Sequence, residues 1–488
     1  MLHNILRLID QHPRRVAFLL LSLLLLFMNL NRSDFVFYHD SLGYWTHAND
    51  FIKGGAFSFP NFDFPVRGYL FPFIIFIITS ISSRMGISGY VGYEVIASLV
   101  YSVTLTIVIP GLVYRLSGRK PLFFQILVFS LLSVYFWRGL FFYPLTDLPA
   151  LCFILIGVYI VVRFSNHWWA MLLAGMLWGG STILRPSYQI ILLPLLIWAF
   201  YYFYHAQIHR RLYNLTLRFL ALMTGLILVF TPQGIINWKN YGIISPIVQT
   251  QLFFNGADLF SLQLGWGIYL QKYETNVGDS YPSASVMFLD DHGENMLIYS
   301  GLKSVPYTKS HQIGPDKLIP FSTYLRLLAR YPLDFIALYG RHFFNGLDVV
   351  YNTVYVPNVY AGSILFRFIN YTIWFVVLIY LGYNVSKRKI KYLNSRLVLV
   401  LILVLPALLT IPTVVEVRFF LPLHLLAYAL VAFGVLPDFL ALNRLQMRLV
   451  VFRYLFWYGC FLILCFMLSA NTYMGLENGP YILTNFSR

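Results

Sequence analysis

Charge is what this chain has least of. Only 11% of its 488 residues are Asp, Glu, Lys or Arg, against roughly 25% in soluble globular proteins, and that scarcity argues for an integral membrane protein. Acids are scarcer than bases, 19 against 35, giving a formal net charge of +16. The bases fall in short clusters between apolar runs and form no continuous polyanion-binding face, so nucleic acid is not an expected partner. Cysteine is almost absent: Cys152, Cys460 and Cys465 lie within apolar runs without metal-ligand spacing, so neither a disulfide framework nor a metal site follows from them. The first apolar run lacks a small-residue cleavage site and reads as a retained span. No internal repeat and no clear small-residue association motif stands out, which leaves the oligomeric state open.

Apolar residues are what the chain has in abundance, at 59% hydrophobic with a mean hydropathy of +0.68. A helical span needs about 20 apolar residues. Runs near that length predict spans at 16–30, 89–113, 122–137, 148–164, 168–184, 188–204, 215–232, 362–382, 396–412, 418–436 and 450–468. The segment 69–82 is shorter, carries Pro72 and reads as an interfacial or re-entrant helix. Arg7, Arg14 and Arg15 precede the first span, and Arg115, Arg119, Lys120, Arg163, Arg210, Arg211, Lys387, Arg388, Lys389, Lys391, Arg444 and Arg448 mark alternate turns. The positive-inside rule then places the N-terminus in the cytoplasm and the C-terminus outside. The expected fold is all-α and integral to the membrane, with about eleven transmembrane helices plus extracytoplasmic interfacial helices. Three parts are expected: 1–232, a transmembrane module with the outer loop 31–88; 233–361, one long extracytoplasmic region; and 362–488, the last helices and an outer tail. Within the long region, Tyr324 to His342 alternates apolar and basic residues at helical spacing, as a helix lying along lipid phosphates would.

Five constellations carry chemistry. The first is Phe37-Tyr38-His39-Asp40-Ser41-Leu42-Gly43-Tyr44-Trp45, at the outer mouth of the first span, where an acid is wet enough to ionise and close enough to meet a lipid-borne substrate. Its bland alternative is Asp40 capping a helix that begins at Ser41. The second is Thr146-Asp147-Leu148-Pro149, an acid on the same side of the membrane, again with helix capping as its alternative. The third, Leu184-Arg185-Pro186, sets an arginine at an outer span end, where it pairs with a phosphate or snorkels to a headgroup. In the fourth, Glu416-Val417-Arg418, residues two apart do not face each other on a helix, so an ion pair there requires a bent or extended start. The fifth is Arg341-His342, with interfacial anchoring as its alternative. Asp290-Asp291-His292 reads more simply as an exposed turn than as a metal site.

Taken in order and sidedness, several segments resemble the GT-C superfamily of integral-membrane glycosyltransferases. They are His39 to Tyr44, Gly54-Gly55, Pro60 to Pro72, Thr146-Asp147, Leu184-Arg185-Pro186, Thr231-Pro232 through Asn237 to Gly242, Arg330-Tyr331-Pro332 and Glu416 to Phe419. The likeness is to the bacterial branch of aminoarabinose transferases and protein O-mannosyltransferases, and phage-type O-antigen glucosyltransferases are similar in length and span number. The resemblance implies inverting transfer from a polyprenyl-phosphate sugar to a glycan or lipid-linked acceptor, at the periplasmic face of a bacterial cytoplasmic membrane. Asp40 matches the acid of the family's first outer loop and would be the base. Many members carry a second acid beside it; His39 stands there instead, so a bound metal is not expected and no cofactor is called for. Asp147 would orient acceptor or sugar, and Arg185, Arg341 or Arg418 would hold the donor phosphate. Tyr44 and Trp45 would stack on a pyranose face, with His39, Arg67, His342 and Glu416 completing the substrate contacts. The rival is a transporter or flippase of lipid-linked saccharides, which would place ionisable groups and broken helices near the bilayer midplane. A non-catalytic scaffold would leave the outer acids without a common cavity.

Overall fold

The computed structural model describes residues 9–31, 36–205, 212–252, 259–276, 284–289, 320–357, 362–386, 395–478 and 481–482. Arg7, Arg210, Arg211, Asp279, Asp290 to Glu294, Lys303, Lys309, Asp316 and Lys387 to Lys391 lie outside them, as do the side chains of Arg444 and Arg448. Among the described residues, nine helices are long and apolar enough to cross a membrane. They coincide with nine of the eleven runs expected to span. The other two, Trp168–Leu184 and Arg396–Leu408, are apolar helices of shorter length, as is Leu70–Arg84. The chain is therefore built as a helical integral membrane protein.

Two compact units form, one from Met1–Gln249 with Lys391–Pro406, the other from Thr250–Ile390 with Ala407–Arg488. In the first, α1 (Pro13–Leu30) leads to a short helix α2 (His39–Thr46), then α3 (Leu70–Arg84) and α4 (Gly89–Ser117). A π turn at Thr104–Val108 interrupts α4. Next come α5 (Phe123–Phe142), α6 (Asp147–Phe164), α7 (Trp168–Leu184), α8 (Gln189–His205) and α9 (Leu212–Tyr241). Helix α9 runs past Pro232, where the hydropathy pattern ends the span at 232. Its polar last turns are fastened to other parts of the unit: Gln233 Oε1 accepts from Tyr69 N at 3.1 Å, Asn240 Nδ2 donates to Phe62 O at 2.9 Å, and Tyr241 donates to Asp63 at 2.7 Å. Gly175 of α7 and Gly225 of α9 let the two helices touch backbone to backbone, since a Cβ on either would strike a main-chain carbonyl of the facing helix. This corrects the expectation of no small-residue motif: Gly175 and Gly179 stand four apart in α7, and a Cβ on Gly179 would also meet Leu226 of α9, 3.2 Å from its Cδ2.

The loop between α2 and α3 is held by aromatic packing. Phe51, Phe62, Tyr69, Ile183, Val229 and Ile236 form a buried cluster, with the Phe51 and Phe62 rings stacked at 5.2 Å. A two-residue hairpin, β1 (Ile52–Lys53) with β2 (Ala56–Phe57), lies in this loop, turned by Gly54 and Gly55 at positive φ.

The second unit adds a small sheet to the all-α expectation. Strands β3 (Leu270–Asn276) and β4 (Ala284–Leu289) pair antiparallel; β5 (Tyr355–Val356) joins β3 in parallel, and β6 (Tyr481–Ile482) joins β4. Helix α10 (Leu259–Tyr269) runs directly into β3. The amphipathic stretch expected as one surface helix is two, α11 (Phe321–Arg330) and α12 (Pro332–Leu347), because Pro332 drives Tyr331 out of the helical region, to φ −126 and ψ 56. Nor is α12 wholly superficial, since Phe335, Leu338, His342 and Asn345 are buried. Helices α13 (Ile364–Ser386), α14 (Ser395–Leu408), α15 (Leu421–Leu430, extended by Val431–Val435 and Leu436–Leu440) and α16 (Arg444–Asn478) complete the described chain.

Candidate active site

Helix α2 begins at His39, two residues before the expected Ser41, and this changes what Asp40 can do. The Ser41 hydroxyl takes over the cap, accepting from Tyr38 N at 3.0 Å and donating to Tyr38 O at 2.6 Å. The Asp40 carboxylate forms an ion pair with Arg67. It keeps 32% of its side-chain surface exposed. His39 sits at φ +43, the one described non-glycine residue at positive φ. Strain of this kind persists only where the surroundings enforce it, and it concentrates at functional sites.

Arg67 is aimed by its neighbours. A Cβ on Gly68 would collide with the backbone carbonyl of Ile183 in α7, so only glycine lets the chain lie this close to the end of that helix. Tyr69, next in sequence, donates through its hydroxyl to Val229 O at 3.0 Å. With its backbone so pinned, Arg67 reaches Asp40 and also lies over the Tyr44 ring, 5.5 Å from the centroid.

Tyr44 follows Asp40 by one helical turn and faces inward, only 5% exposed. Its hydroxyl lies 3.4 Å from Thr146 Oγ1. Burial pushes the phenol above its ordinary pKa, and the Arg67 charge opposes that rise. Trp45, on the adjoining face of α2, packs edge-on against Tyr93 at 5.9 Å and against Phe37 at 4.9 Å.

Thr146 precedes Asp147, the first residue of α6. Asp147 is buried and forms an ion pair with Arg185. The Arg-Pro dipeptide explains the reach: proline disfavours helical geometry in the residue before it, so Arg185 takes an extended conformation, φ −142 and ψ 106, at the end of α7. Arg185 Nε also donates to Ser187 Oγ at 3.2 Å. Seven residues expected from the sequence (His39, Asp40, Tyr44, Trp45, Arg67, Asp147 and Arg185) thus belong to the first unit. Asp40, Arg67, Tyr44 and Thr146 form one set of contacts, and the Asp147–Arg185 pair joins it through the peptide bond from Thr146 to Asp147.

The other four belong to the second unit. Glu416 is extended, at φ −109 and ψ 138, ahead of a turn at Val417–Phe420. That geometry meets the condition for pairing, and Arg418 grips the Glu416 carboxylate with both Nε and Nη2. Strand β3 holds the segment straight through Tyr273 N donating to Val415 O at 2.9 Å. His342 is fully buried, its Nδ1–H directed at Ile411 O at 2.7 Å, which gives it an anchoring role in the packing of α12. Arg341 beside it is partly exposed.

Several polar residues lay beyond the reach of the sequence pattern. Glu94, fully buried in α4, accepts from Asn29 Nδ2 at 2.5 Å. Lys272 and Asp348 are completely buried in the second unit, with Glu274 beside them. An isolated Glu in an apolar run was the only signal for the first. Lys272 and Asp348 lie 76 residues apart, and nothing local marks them as partners. Among the described residues, no group of three or more His, Cys, Asp or Glu side chains comes together to hold a metal ion.

No family model matches this chain, and no curated protein and no solved structure is similar to it. Its class, a helical integral membrane protein, rests on the chain's own helices.

Proposed function

We propose that the protein is an inverting glycosyltransferase that moves a sugar from a polyprenyl-phosphate donor to a glycan or lipid-linked acceptor. The observation that carries this reading is the set of contacts from Asp40 through Arg67 and Tyr44 to Thr146, next in the chain to the Asp147–Arg185 pair. It combines a partly exposed carboxylate, a buried carboxylate, two guanidinium groups and a buried phenol, and a carboxylate beside a guanidinium is what this reaction needs.

In that mechanism the acceptor hydroxyl gives its proton to Asp40, and its oxygen forms the new bond to the anomeric carbon as the bond to the phosphate oxygen breaks. The phosphate departs as a stable anion, so no leaving-group acid is required. A positioned general base contributes typically about 10²–10⁴-fold. Arg67, paired with the Asp40 carboxylate, positions the base. Asp147, held by Arg185, orients the sugar or acceptor through the Thr146–Tyr44 contact, and no metal is invoked. The site would lie on the periplasmic side of a bacterial cytoplasmic membrane. Incubating the purified chain with radiolabelled polyprenyl-phosphate sugars and candidate glycan acceptors tests the proposal: labelled product supports it, and its absence across donors and acceptors removes it.

One observation favours the transporter reading. Glu94 is a buried acid within an apolar helix that also carries a π turn, and such residues mark ion or proton paths in transporters. Movement of a labelled lipid-linked saccharide across proteoliposomes, lost in Glu94→Gln, would support that reading.

A further inference from the structure

Among the described residues, the second unit contains a guanidinium without a hydrogen-bond or ion-pair partner. Strand β3 alternates its side chains, so Lys272 and Glu274 share a face. Lys272 Nζ donates to Asp348 O at 3.1 Å and lies 3.4 Å from Glu274 and 3.7 Å from the Asp348 carboxylate. Asp348 also accepts from Tyr371 at 2.7 Å and from Ser469 at 2.8 Å. Lys272 thus lies directly against two acids.

Arg367 is different. It is the fourth residue of α13, and its guanidinium carbon lies 4.2 Å from the centroid of the Tyr473 ring. Lys272 Nζ approaches the same ring to 5.5 Å. Among the described residues, the Arg367 side chain makes no hydrogen bond and no ion pair, and its Nε is buried without a partner. A ring face attracts a cation but does not cancel its charge, and a guanidinium does not shed its proton in a protein. Arg418, in the same unit, is gripped by Glu416, and Arg185 in the first unit is paired with Asp147. Two of the three arginines expected to meet a phosphate are therefore already occupied by carboxylates. Arg367 keeps its fork of donors over Tyr473, with Gly362 at its edge, where an added Cβ would come within 2.8 Å of Nη2. A preset planar fork suits two oxygens of one phosphate.

We propose that Arg367, lying on Tyr473, is a phosphate-binding residue of the second unit, its ligand a phosphate ester carried on a lipid or free in solution. Equating that phosphate with the one on a polyprenyl donor rests on the transfer reaction proposed above; the phosphate site itself does not.

The test uses the purified full chain in a phosphate-free glucoside or maltoside detergent. Binding of polyprenyl monophosphate, phosphatidylglycerol, inorganic phosphate and unphosphorylated polyprenol is measured for the wild type, Arg367→Gln and Arg367→Lys. The expected result is that polyprenol does not bind, polyprenyl monophosphate does, Arg367→Gln weakens it about tenfold or more, and Arg367→Lys weakens it less. If phosphatidylglycerol or inorganic phosphate binds in an Arg367-dependent way and polyprenyl phosphate does not, the phosphate site stands and the transfer reading fails. Equal affinity of wild type and Arg367→Gln for every phosphorylated probe overturns the proposal. Should Arg367→Gln fail to fold, phenylglyoxal labelling of wild-type Arg367, read by mass spectrometry, decides the matter: protection by a phosphorylated probe supports the site, and equal labelling with and without every probe overturns it.

Discussion

Removing Arg185 takes the ion-pair partner from a buried carboxylate, and the cost follows from where Asp147 sits. The Asp147 side chain is 4% exposed and its arginine partner 17% exposed. Breaking a buried pair by deleting one partner costs about 3–5 kcal/mol, because the remaining charge is desolvated without compensation. Arg185→Gln should therefore lower the midpoint of thermal unfolding in detergent by an amount on the order of 5–10 °C, at a few degrees per kcal/mol for a unit of this size. Asp147→Asn alone removes the charge, leaves a neutral amide of the same shape and should cost less. Combining the two should recover most of what Arg185→Gln loses, giving a coupling of about 1–3 kcal/mol. Fluorescence-detected size-exclusion after a heating series reads all four proteins under one condition. Strict additivity, or an Arg185→Gln protein as stable as wild type, would refute the reasoning.

Three further outcomes follow from the same geometry. Gly68→Ala drives a methyl into the Ile183 carbonyl; the loop bearing Arg67 should shift, and trypsin should cut it faster than in wild type. His39→Val places a β-branched side chain at φ +43 and should destabilise by about 1–2 kcal/mol, whereas His39→Gly should not, as thermal unfolding of the pair will show. Glu274 has its pKa raised above 4.5 by burial, with the Lys272 charge working against the rise. The native state therefore holds this proton more tightly than the unfolded chain, and wild-type stability falls as pH rises from about 4.5 through the raised value. Glu274→Gln should flatten that part of the stability curve, measured as unfolding midpoint against pH, and an unchanged slope would contradict it.

The helices were legible because apolar length is a local property that needs no knowledge of partners. Local chemistry also exposed one feature of the side-chain geometry: the two-residue spacing of Glu416 and Arg418 requires a bent or extended start for pairing, and Glu416 is extended. The break at Tyr331 was equally local, since Pro332 marks it, but the amphipathic pattern continues across the break and conceals it. The partners of buried charges were not legible. Asp40 meets Arg67 across 27 residues, Asp147 meets Arg185 across 38, and Lys272 meets Asp348 across 76. Only folding brings such groups together. The polar end of α9 was missed for a related reason: Gln233, Asn237 and Asn240 look like loop residues by composition, yet they bond to other parts of the first unit or within the helix end while the helix continues.

Asp40 is the residue on which the proposed chemistry turns. The most direct measurement compares single-turnover sugar transfer from a labelled polyprenyl-phosphate donor by wild type and Asp40→Asn, with the unfolding midpoint of each recorded alongside. The account predicts a rate loss of about 10²-fold or more with folding and donor binding retained; near-normal transfer by a folded Asp40→Asn protein would contradict it.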